Sequence, residues 1–359
     1  MWPLKALMMA ASVVTGFQNG KFLFSRSSSS LSSLYNPCLL QSTEGSNMLS
    51  VIEDSSTSPS SLWEPYLESG GFCNHLYKHR NEKKMLKLYS ELALKRMELS
   101  GFKVGELDIQ MGKAGLGPTI YNTTKTHMIM EQLQGSVLTQ QALCQPNIES
   151  MLDAVSKTLA KLHCLPTKNN ENMLWKCCHM FLDKLDQYGE TELFQFYSEQ
   201  IHFQQQKLDQ LKLPTVLGHG DFKPSNIIMI ENTNEAKLVD WETCGCHYRA
   251  YDLSKLFRSI TTGTEGKGNS QVVTNQRLFL KQYCQYIAND NASQCGPEQV
   301  LLESKLLLPM TWLEAAMFFH CKSFTEKEYD TLAKDRLQHY QESLRDWNKH
   351  VQEYKSLFS

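Results

Sequence analysis

The sequence lacks a large excess of charge of either sign. Its 359 residues include 36 lysines and arginines and 38 aspartates and glutamates, which gives a formal net charge of −2. Proteins that bind nucleic acid or anionic lipid usually carry a strong basic field, so the composition argues against both classes. No stretch approaches the roughly 20 consecutive apolar residues of a membrane-spanning helix. We therefore expect a folded globular protein with no nucleic-acid partner and no transmembrane segment.

The paired cysteine spacing of a zinc site is also missing. The chain has 11 cysteines, an odd number, and its close pairs are Cys177 with Cys178 and Cys244 with Cys246. Neither pair has the second half of a tetrahedral site nearby. We interpret the cysteines as reduced thiols in a reducing compartment, so the cytoplasm is the expected location of the folded part.

The N-terminal region differs in composition from the rest of the chain. Residues 1–43 contain three basic residues and no acid, and an apolar run, Ala6–Phe17, precedes a serine block, Ser25–Ser33. This order resembles an organelle-targeting or signal segment, and the alternative is a disordered tail. A second serine-rich stretch, Ser55–Ser61, ends the region. We therefore predict a leader and linker over residues 1–61.

Short strands are predicted at the start of the folded part. The pattern of Trp63–Tyr89 favours a hairpin followed by a third strand, because turn-forming residues separate its apolar clusters. Glu106–Ala114 is typical of a helix, and Thr119–Asn122 and His127–Glu131 of two further strands. Residues 62–134 are therefore predicted to form a small sheet with one helix.

The pattern changes after Gly135. Apolar residues recur at spacings of three and four up to His163 and predict an amphipathic helix there. A β-rich segment, Val216–Asp240, interrupts an otherwise helical pattern. We predict an α+β protein in which residues 135–359 form a larger, mainly helical unit. Its further predicted helices are Leu174–Tyr188, Glu192–Leu211, Gln276–Ala288, Glu298–Cys321 and Glu326–Phe358.

The β-rich segment carries the candidate catalytic residues. Phosphoryl transfer needs a carboxylate to orient and deprotonate the attacking hydroxyl, oxygen ligands for Mg²⁺, and cations on the phosphates. Asp221 is placed to act as the base and Lys223 to reach the phosphate. Asn226 and Asp240 lie at the two ends of a predicted hairpin and can supply metal ligands, with Glu242 as a further candidate. A plain surface turn is the alternative, since glycine, aspartate, proline and asparagine all form turns.

These motifs resemble those of a known family. The segment His219–Asn226, with Val239–Glu242 and His247–Leu253, is similar to the choline/ethanolamine kinase branch of the aminoglycoside-phosphotransferase-like, protein-kinase-like enzymes. The resemblance covers about Leu62 to Asp346. It extends to Gly70–Asn74 with Leu76–Lys78, Met85–Tyr89 and Ala114–Tyr121.

The resemblance implies a two-lobe fold with an antiparallel-sheet N-lobe, a mainly helical C-lobe and the active site between them. It implies ATP and Mg²⁺ as cofactors and allows a homodimer. Lys87 would contact the α- and β-phosphates and Glu106 would pair with it, with Asp108 as the alternative partner. The remaining residues implied for the nucleotide are Gly70, Gly71 and Asn74 in the phosphate-covering loop, and Glu131, Gln132 and Leu133 in the hinge.

The resemblance also implies roles beside the base. Tyr248, Trp312 and Glu314 would contact the substrate together with Asp221, although an aromatic at helical spacing is as often a packing residue. The chain departs from the family pattern at His247 and Lys255, which replace asparagines, and it lacks a second tryptophan near Trp312. His219 would be structural. Asp252 would support the catalytic loop, with a helix N-cap as the alternative.

The implied function is phosphorylation of choline or ethanolamine, the first step of phosphatidylcholine or phosphatidylethanolamine synthesis. One alternative is a kinase of another small cationic alcohol, aminoglycoside-like or thiamine-like. The other is a pseudokinase that binds without catalysis, which the intact set of Lys87, Asp221, Asn226 and Asp240 disfavours.

Overall fold

A five-stranded antiparallel sheet opens the part of the chain that the computed structural model describes, which is residues 62–66, 74–168, 170–261, 270–289 and 296–357. The predicted leader over residues 1–61 and the two glycines Gly70 and Gly71 lie outside the described residues. The strands are β1 (Trp63–Pro65), β2 (His75–His79), β3 (Lys84–Leu88), β4 (Ile120–Thr123) and β5 (His127–Glu131). Their spatial order is β1-β2-β3-β5-β4.

The central strand β3 is buried on both faces. Leu86 and Leu88 belong to a cluster with Trp63, whereas Met85 packs on the opposite face with Met130. Because side chains alternate along a strand, Lys87 must lie on the face that Met85 occupies. The sheet therefore carries one buried lysine among its apolar residues.

Two helices connect β3 to β4. The first, α1 (Glu91–Ser100), was not predicted; the Ser90 side chain caps it by accepting a hydrogen bond from the Ala93 N–H (3.1 Å), and it ends at Gly101 with φ of +77°. The second, α2 (Glu106–Lys113), confirms the helix predicted over Glu106–Ala114. The α1 helix packs on the sheet through Ala93 and Met97, which join the Met85 cluster, and it also contacts the helical part of the molecule.

The remainder of the chain is mainly helical and confirms the predicted fold class. Two small antiparallel sheets interrupt it, β6-β8-β9 and β7-β10. The strands are β6 (Gly135–Val137), β7 (Thr215–Gly218), β8 (Ile227–Ile230), β9 (Ala236–Leu238) and β10 (Gly245–Tyr248). The helices are α3 (Gln140–Leu143), α4 (Glu149–His163), α5 (Met173–Gln187), α6 (Thr191–Leu211), α7 (Arg249–Thr261), α8 (Ser270–Asn289), α9 (Pro297–Ser323), α10 (Tyr329–Ser343) and α11 (Trp347–Ser356).

The long helix α9 lies at the centre of the helical part. Most of its second half is buried, because α5, α7, α10 and α11 pack around it. The single helix that the sequence predicts over Glu326–Phe358 is wrong. The chain turns between α10 and α11, so that Trp347 inserts into the core and donates to the Leu306 carbonyl (2.8 Å). Within the described ranges, no helix is long and apolar enough to cross a bilayer.

Candidate active site

The loop between β7 and β8 is fixed by a buried carboxylate. Asp252, in the first turn of α7, accepts hydrogen bonds from the backbone N–H groups of His219 (2.7 Å) and Gly220 (2.8 Å). Gly220 has φ of +79°, and a Cβ there would lie 2.4 Å from the Thr243 carbonyl oxygen, so only glycine fits. These are the contacts that a supporting role for Asp252 requires. The N-cap alternative is wrong, because α7 already begins at Arg249.

Asp252 is itself held by a histidine. His163 Nε2 lies 3.1 Å from Asp252 Oδ2, and the Tyr283 hydroxyl lies 2.7 Å from His163 Nδ1. Burial opposes ionisation of Asp252, but the hydrogen bond and charge of His163 outweigh it and lower the pKa of the carboxyl. His163 of α4 and Tyr283 of α8 therefore support the catalytic loop through the Asp252 carboxylate.

The buried ring of His219 joins this loop to the end of β9. Its Nδ1 accepts from the Asp221 N–H (3.3 Å), so Nε2 carries the proton and donates to the Val239 carbonyl (3.0 Å). The ring also packs against Trp241, with centroids 4.8 Å apart. His219 thus has the contacts of a structural residue, since both ring nitrogens are engaged in the loop.

The carboxylate of Asp221 stands among three polar side chains. Its Oδ2 lies 2.7 Å from Lys223 Nζ and accepts from Asn226 Nδ2 (3.2 Å), and its Oδ1 lies 3.8 Å from Lys255 Nζ. Burial would raise the pKa of Asp221, but the two ammonium groups outweigh burial and hold it well below its usual range. The group is therefore ionised and able to accept a hydrogen bond from an alcohol.

Asp240 lies just after the end of β9, and its side chain is partly exposed. The register of β8 and β9, with Ile227 opposite Leu238, brings Asn226 beside this strand end, and the Val239 N–H donates to the Asn226 carbonyl (3.1 Å). Asp240 has φ of +74°, a left-handed conformation that is uncommon outside glycine. Such strain tends to occur at functional positions. The structure thus brings Asn226 and Asp240 together, as the sequence suggested.

Lys87 crosses from the sheet to these acids. Its Nζ lies 2.7 Å from Asp240 Oδ1 and 2.8 Å from Glu242 Oε1. Burial would lower the pKa of Lys87, but Asp240, Glu242 and Asp108 outweigh burial and raise it well above its usual value. Lys87 is therefore a permanent cation at the junction of the two lobes.

The Glu242 side chain contacts Lys87 and is almost fully buried. It also accepts a hydrogen bond from the Asn74 amide, whose oxygen in turn accepts from the Ser90 N–H (3.1 Å). Burial, and then the charge of Asp240, raises the pKa of Glu242 to about 7. In this structure Lys87 and Asn74 both contact Glu242 Oε1, and a metal-ligand role for Glu242 stays a prediction from the sequence.

Glu106 does not reach Lys87. It lies in the first turn of α2, where its carboxylate binds Lys168 (2.5 Å) and accepts from the Lys103 N–H (3.0 Å). Residues two apart on a helix point to nearly opposite sides, so Asp108 faces the interior. It is buried, and its charge contributes to the raised pKa of Lys87. The Glu106 pairing is therefore corrected in favour of Asp240 and Glu242, with Asp108 nearby.

The predicted hinge begins at the last residue of β5. Glu131 exchanges hydrogen bonds with Thr119: its N–H donates to the Thr119 carbonyl (2.8 Å) and its carboxylate accepts from the Thr119 N–H (3.0 Å). The Gln132 N–H donates to the Lys83 carbonyl (2.9 Å), and the Gln132 carbonyl accepts from the Gln134 side chain (3.0 Å). The N–H of Glu131 and both backbone groups of Gln132 are thus engaged within the protein, and the roles of Glu131, Gln132 and Leu133 toward adenine stay predictions from the sequence.

Tyr248 lies away from the Asp221 carboxylate. Its hydroxyl accepts from the Trp175 indole (3.2 Å) and donates to Asp209 (3.3 Å), and the ring is buried. Because side chains alternate along β10, the neighbouring His247 points to the other face, toward Gly218 and Gly220. Tyr248 thus has packing contacts in this structure, and its contact with substrate stays a prediction from the sequence.

Trp312 and Glu314 are partnered by cations of the protein. The guanidinium carbons of Arg258 and Arg336 lie 4.6 and 5.4 Å from the centre of the Trp312 ring. Glu314 lies closer to the base: its Oε2 is 2.7 Å from Lys255 Nζ. The structure thus brings Glu314 to the Asp221 cluster through Lys255, whereas Trp312 packs against arginines.

Sequence reasoning missed two cations of this cluster. Lys255 stood out only as a departure from the family pattern. Arg96 lies in the unpredicted α1 and reaches Glu314 Oε1 at 3.8 Å, with its guanidinium over Phe181 and Phe318. No signal in the sequence indicated Arg96, because nothing local shows that α1 packs on the helical lobe.

The geometry of the site identifies the class of protein to which the chain belongs. A lysine on the third strand of a small sheet faces an aspartate-bearing loop and a strand-end aspartate in a helical lobe, which is the arrangement of protein-kinase-like phosphotransferases. The family model of choline/ethanolamine kinase matches residues 68–341, well over half of the chain. The chain therefore belongs to the choline/ethanolamine kinase family.

Individual relatives agree with this assignment. Ethanolamine kinase 1 of Mus musculus is 26% identical over 160 residues, which are 41% of this chain and 43% of the mouse protein. Probable ethanolamine kinase A of Dictyostelium discoideum is 24% identical over 300 residues, 77% of this chain and 84% of that protein. The solved structure of a Plasmodium vivax ethanolamine kinase matches with a TM-score of 0.64 at 16% identity, over 82% of this chain and 86% of that one.

These matches carry different weights. The chain spans less than half the length of the mouse relative that it matches. At 16% identity, the likeness to the Plasmodium structure shows the fold alone. Family membership and the two-lobe fold are therefore established, and the activity is argued from the site.

Proposed function

We propose that the chain transfers the terminal phosphoryl group of ATP to the hydroxyl of a small amino alcohol. The observation that carries this proposal is the ionised Asp221 carboxylate, held between Lys223 and Asn226 on a loop that Asp252 fixes. The class of acceptor is supported by the names of the mouse and Dictyostelium relatives, both ethanolamine kinases.

Asn226 and Asp240 fit a magnesium ion. Both hydrogen bonds from the Asn226 side chain to Asp221 leave from Nδ2, which leaves the amide oxygen for a ligand. Within the described part of the chain, no group of three or more His, Cys, Asp or Glu side chains forms a metal site. This agrees with Mg²⁺, which usually takes one or two protein oxygens and completes its shell with substrate phosphates and water. Bound there, the ion would neutralise phosphate charge.

The nucleotide would lie between the sheet and the catalytic loop. Lys87 would contact its phosphates, because the ammonium already reaches Asp240 at the lobe junction. Leu133 would offer its backbone to adenine. Asn74, tied to Glu242 and Ser90, would fix the end of the phosphate-covering segment, whose Gly70 and Gly71 remain predictions from the sequence.

The chemical step follows from the position of Asp221. The acceptor hydroxyl would donate a hydrogen bond to the carboxylate, and its proton would pass to Asp221 as its oxygen bonds to the γ-phosphorus. The bond from that phosphorus to the leaving ADP oxygen breaks in the same step. Lys223, 2.7 Å from Asp221 in this structure, would stabilise the charge on the transferring group.

We also place the boundary between the lobes at residues 134 and 135. Its support is that β6, which begins at Gly135, pairs with β8 of the catalytic hairpin and not with the five-stranded sheet. A homodimer, and a targeting role for residues 1–43, stay predictions from the sequence.

The proposal is tested by ADP release from ATP and Mg²⁺ with a panel of hydroxylated amines. The wild-type protein is expected to release ADP only when an acceptor is present, and Asp221→Asn is expected to abolish this dependence. Asp183→Asn, which changes an exposed aspartate of α5, is the matched control. Acceptor-dependent turnover that survives in Asp221→Asn would exclude Asp221 as the base. A wild-type protein that binds ATP but turns over no acceptor would favour a binding module.

A further inference from the structure

A lysine ammonium lies near the Asp221 oxygen that faces away from the proposed metal. Asp221 Oδ2 faces Lys223 and Asn226, on the side of the proposed metal, whereas Oδ1 lies 3.8 Å from Lys255 Nζ. Lys255 Nζ also lies 2.7 Å from Glu314 Oε2, and its side chain is only 4% exposed. A buried cation of the protein therefore contacts both the proposed base and Glu314, a second buried carboxylate that could receive a substrate ammonium.

That position is the one a simple amino alcohol would need. Its nitrogen and oxygen are separated by two carbons, so an ammonium must lie close to Asp221 once the hydroxyl bonds to it. The position between Asp221 and Glu314 meets this requirement, and Lys255 already fills it. A second ammonium placed there would face a like charge in a buried site, which is strongly unfavourable.

The charges around the two carboxylates point the same way. Lys223 and Lys255 contact Asp221, and Lys255 and Arg96 contact Glu314, all within ion-pair distance. Since Lys223 faces the proposed metal side, Lys255 and Arg96 are the cations that pair with Asp221 and Glu314 on the other side. An added ammonium would have to compete with these cations for the two carboxylates, whereas an anionic group could pair with Lys255.

The aromatic residue expected to hold an ammonium is occupied as well. Quaternary ammonium groups are bound by the faces of aromatic rings. Here, Arg258 and Arg336 stack on Trp312, with guanidinium carbons 4.6 and 5.4 Å from the ring centre. Trp312 is buried and also packs against His339. This observation is independent of Lys255 and likewise argues against a site built for a bare cation.

We propose that Lys255 is a specificity-determining residue that selects an amino alcohol carrying an anionic group, such as a carboxylate, beside its amine. The proposal rests on the phosphotransferase function proposed above. The anionic group would pair with Lys255, and the amine would lie against Glu314, which Lys255 would then share with the substrate. The acceptor class is thus a hydroxylated zwitterion, in preference to a hydroxylated cation.

Ethanolamine and L-serine form a matched pair for the test, since serine is ethanolamine with a carboxylate on the carbon that bears the amine. We expect wild-type kcat/KM, measured by ADP release, to be at least tenfold higher for serine than for ethanolamine. Lys255→Asn removes the cation and should invert this ratio, while Lys255→Arg keeps the charge and should preserve it. Lys281→Asn, on the exposed face of α8, is the control and should leave the ratio unchanged.

Two results would overturn the proposal: a wild-type preference for ethanolamine or choline over serine, or a ratio that Lys255→Asn leaves unchanged. If no acceptor is turned over, the proposed function fails, and calorimetric binding of the same two probes to the wild-type protein with Mg²⁺ and a non-hydrolysable ATP analogue decides the inference separately. Tighter binding of serine supports it, and equal or weaker binding contradicts it. If the Lys255 variants do not fold, the calorimetric comparison with the wild-type protein still tests the proposal.

Discussion

Lys87 Nζ lies 2.7 Å from Asp240 Oδ1, and this ion pair joins the central strand of the N-lobe to the strand end that carries the proposed metal ligand. The lysine side chain is 6% exposed and the aspartate side chain 34%, so the pair is buried on one side and open to the cleft on the other. The two lobes are thus in contact at the place where the phosphates would bind.

Lys87→Met should therefore affect both activity and stability. Loss of the cation would leave Asp240 and Glu242 without their shared partner, and removal of one member of a buried ion pair costs about 3 kcal/mol of unfolding free energy. We expect kcat/KM for ATP to fall about 100-fold. Urea unfolding and ADP release measure the two effects. Lys83→Met, an exposed lysine just before β3, should change neither; a loss of stability without a loss of activity would argue against phosphate contact.

Asp240→Asn should weaken the response to magnesium while leaving the fold intact. The change removes one carboxylate charge from a side chain that is partly open to the cleft. We expect the Mg²⁺ concentration needed for half-maximal ADP release to rise at least tenfold, and chelation of Mg²⁺ to abolish activity of the wild-type protein. A magnesium titration of both proteins is the measurement. An unchanged titration curve would exclude Asp240 as a metal ligand.

Asp252→Asn tests whether the carboxylate positions the catalytic loop. The two carboxylate oxygens of Asp252 accept one backbone N–H each, from His219 and Gly220. An amide has a single oxygen, so one of these N–H groups would face its NH₂ group and lose its hydrogen bond. Loss of a charge-assisted hydrogen bond of this kind corresponds to a fall in kcat of about tenfold or more. KM for ATP should be nearly unchanged. Steady-state kinetics that show the opposite, a KM effect with kcat preserved, would contradict a positioning role.

The buried pair of Arg249 and Glu303 provides a test of the C-lobe that is separate from catalysis. Arg249 Nη2 lies 2.6 Å from Glu303 Oε1 and Nε lies 3.1 Å from Oε2, and both residues are buried. Arg249→Met should lower the unfolding free energy by about 3–5 kcal/mol, because the Glu303 charge is left buried. The double change Arg249→Met with Glu303→Leu should recover most of it. A double variant as unstable as the single one would show that the pair itself is stabilising.

Local patterns predicted the catalytic loop, and long-range packing decided its surroundings. The catalytic motif and its strands could be inferred because they lie in one short stretch of the sequence, which contains His219, Asp221, Asn226 and Asp240. The acid that meets Lys87 could not be inferred: the sequence offers Glu106 or Asp108, whereas the structure pairs Lys87 with Asp240 and Glu242, a choice that depends on the rotation of α2 and the docking of the lobes.

The acceptor side was the least predictable part. Arg258 and Arg336 come from two helices far apart in the sequence and meet at Trp312 only in the fold. Arg96 lies on a helix with a buried charge, which weakens the apolar periodicity by which helices are recognised. The composition of the pocket therefore had to be read from the structure.

The central claim is that Asp221 directs the phosphoryl group of ATP to an acceptor hydroxyl. Phosphorus NMR of reactions that contain ATP, Mg²⁺ and either ethanolamine or L-serine tests it most directly, because the signal of a phosphate ester on the acceptor differs from that of inorganic phosphate. We predict an acceptor phosphate ester with the wild-type protein and a rate about 1000-fold lower with Asp221→Asn. Inorganic phosphate as the sole product, or an ester formed equally fast by Asp221→Asn, would contradict the account.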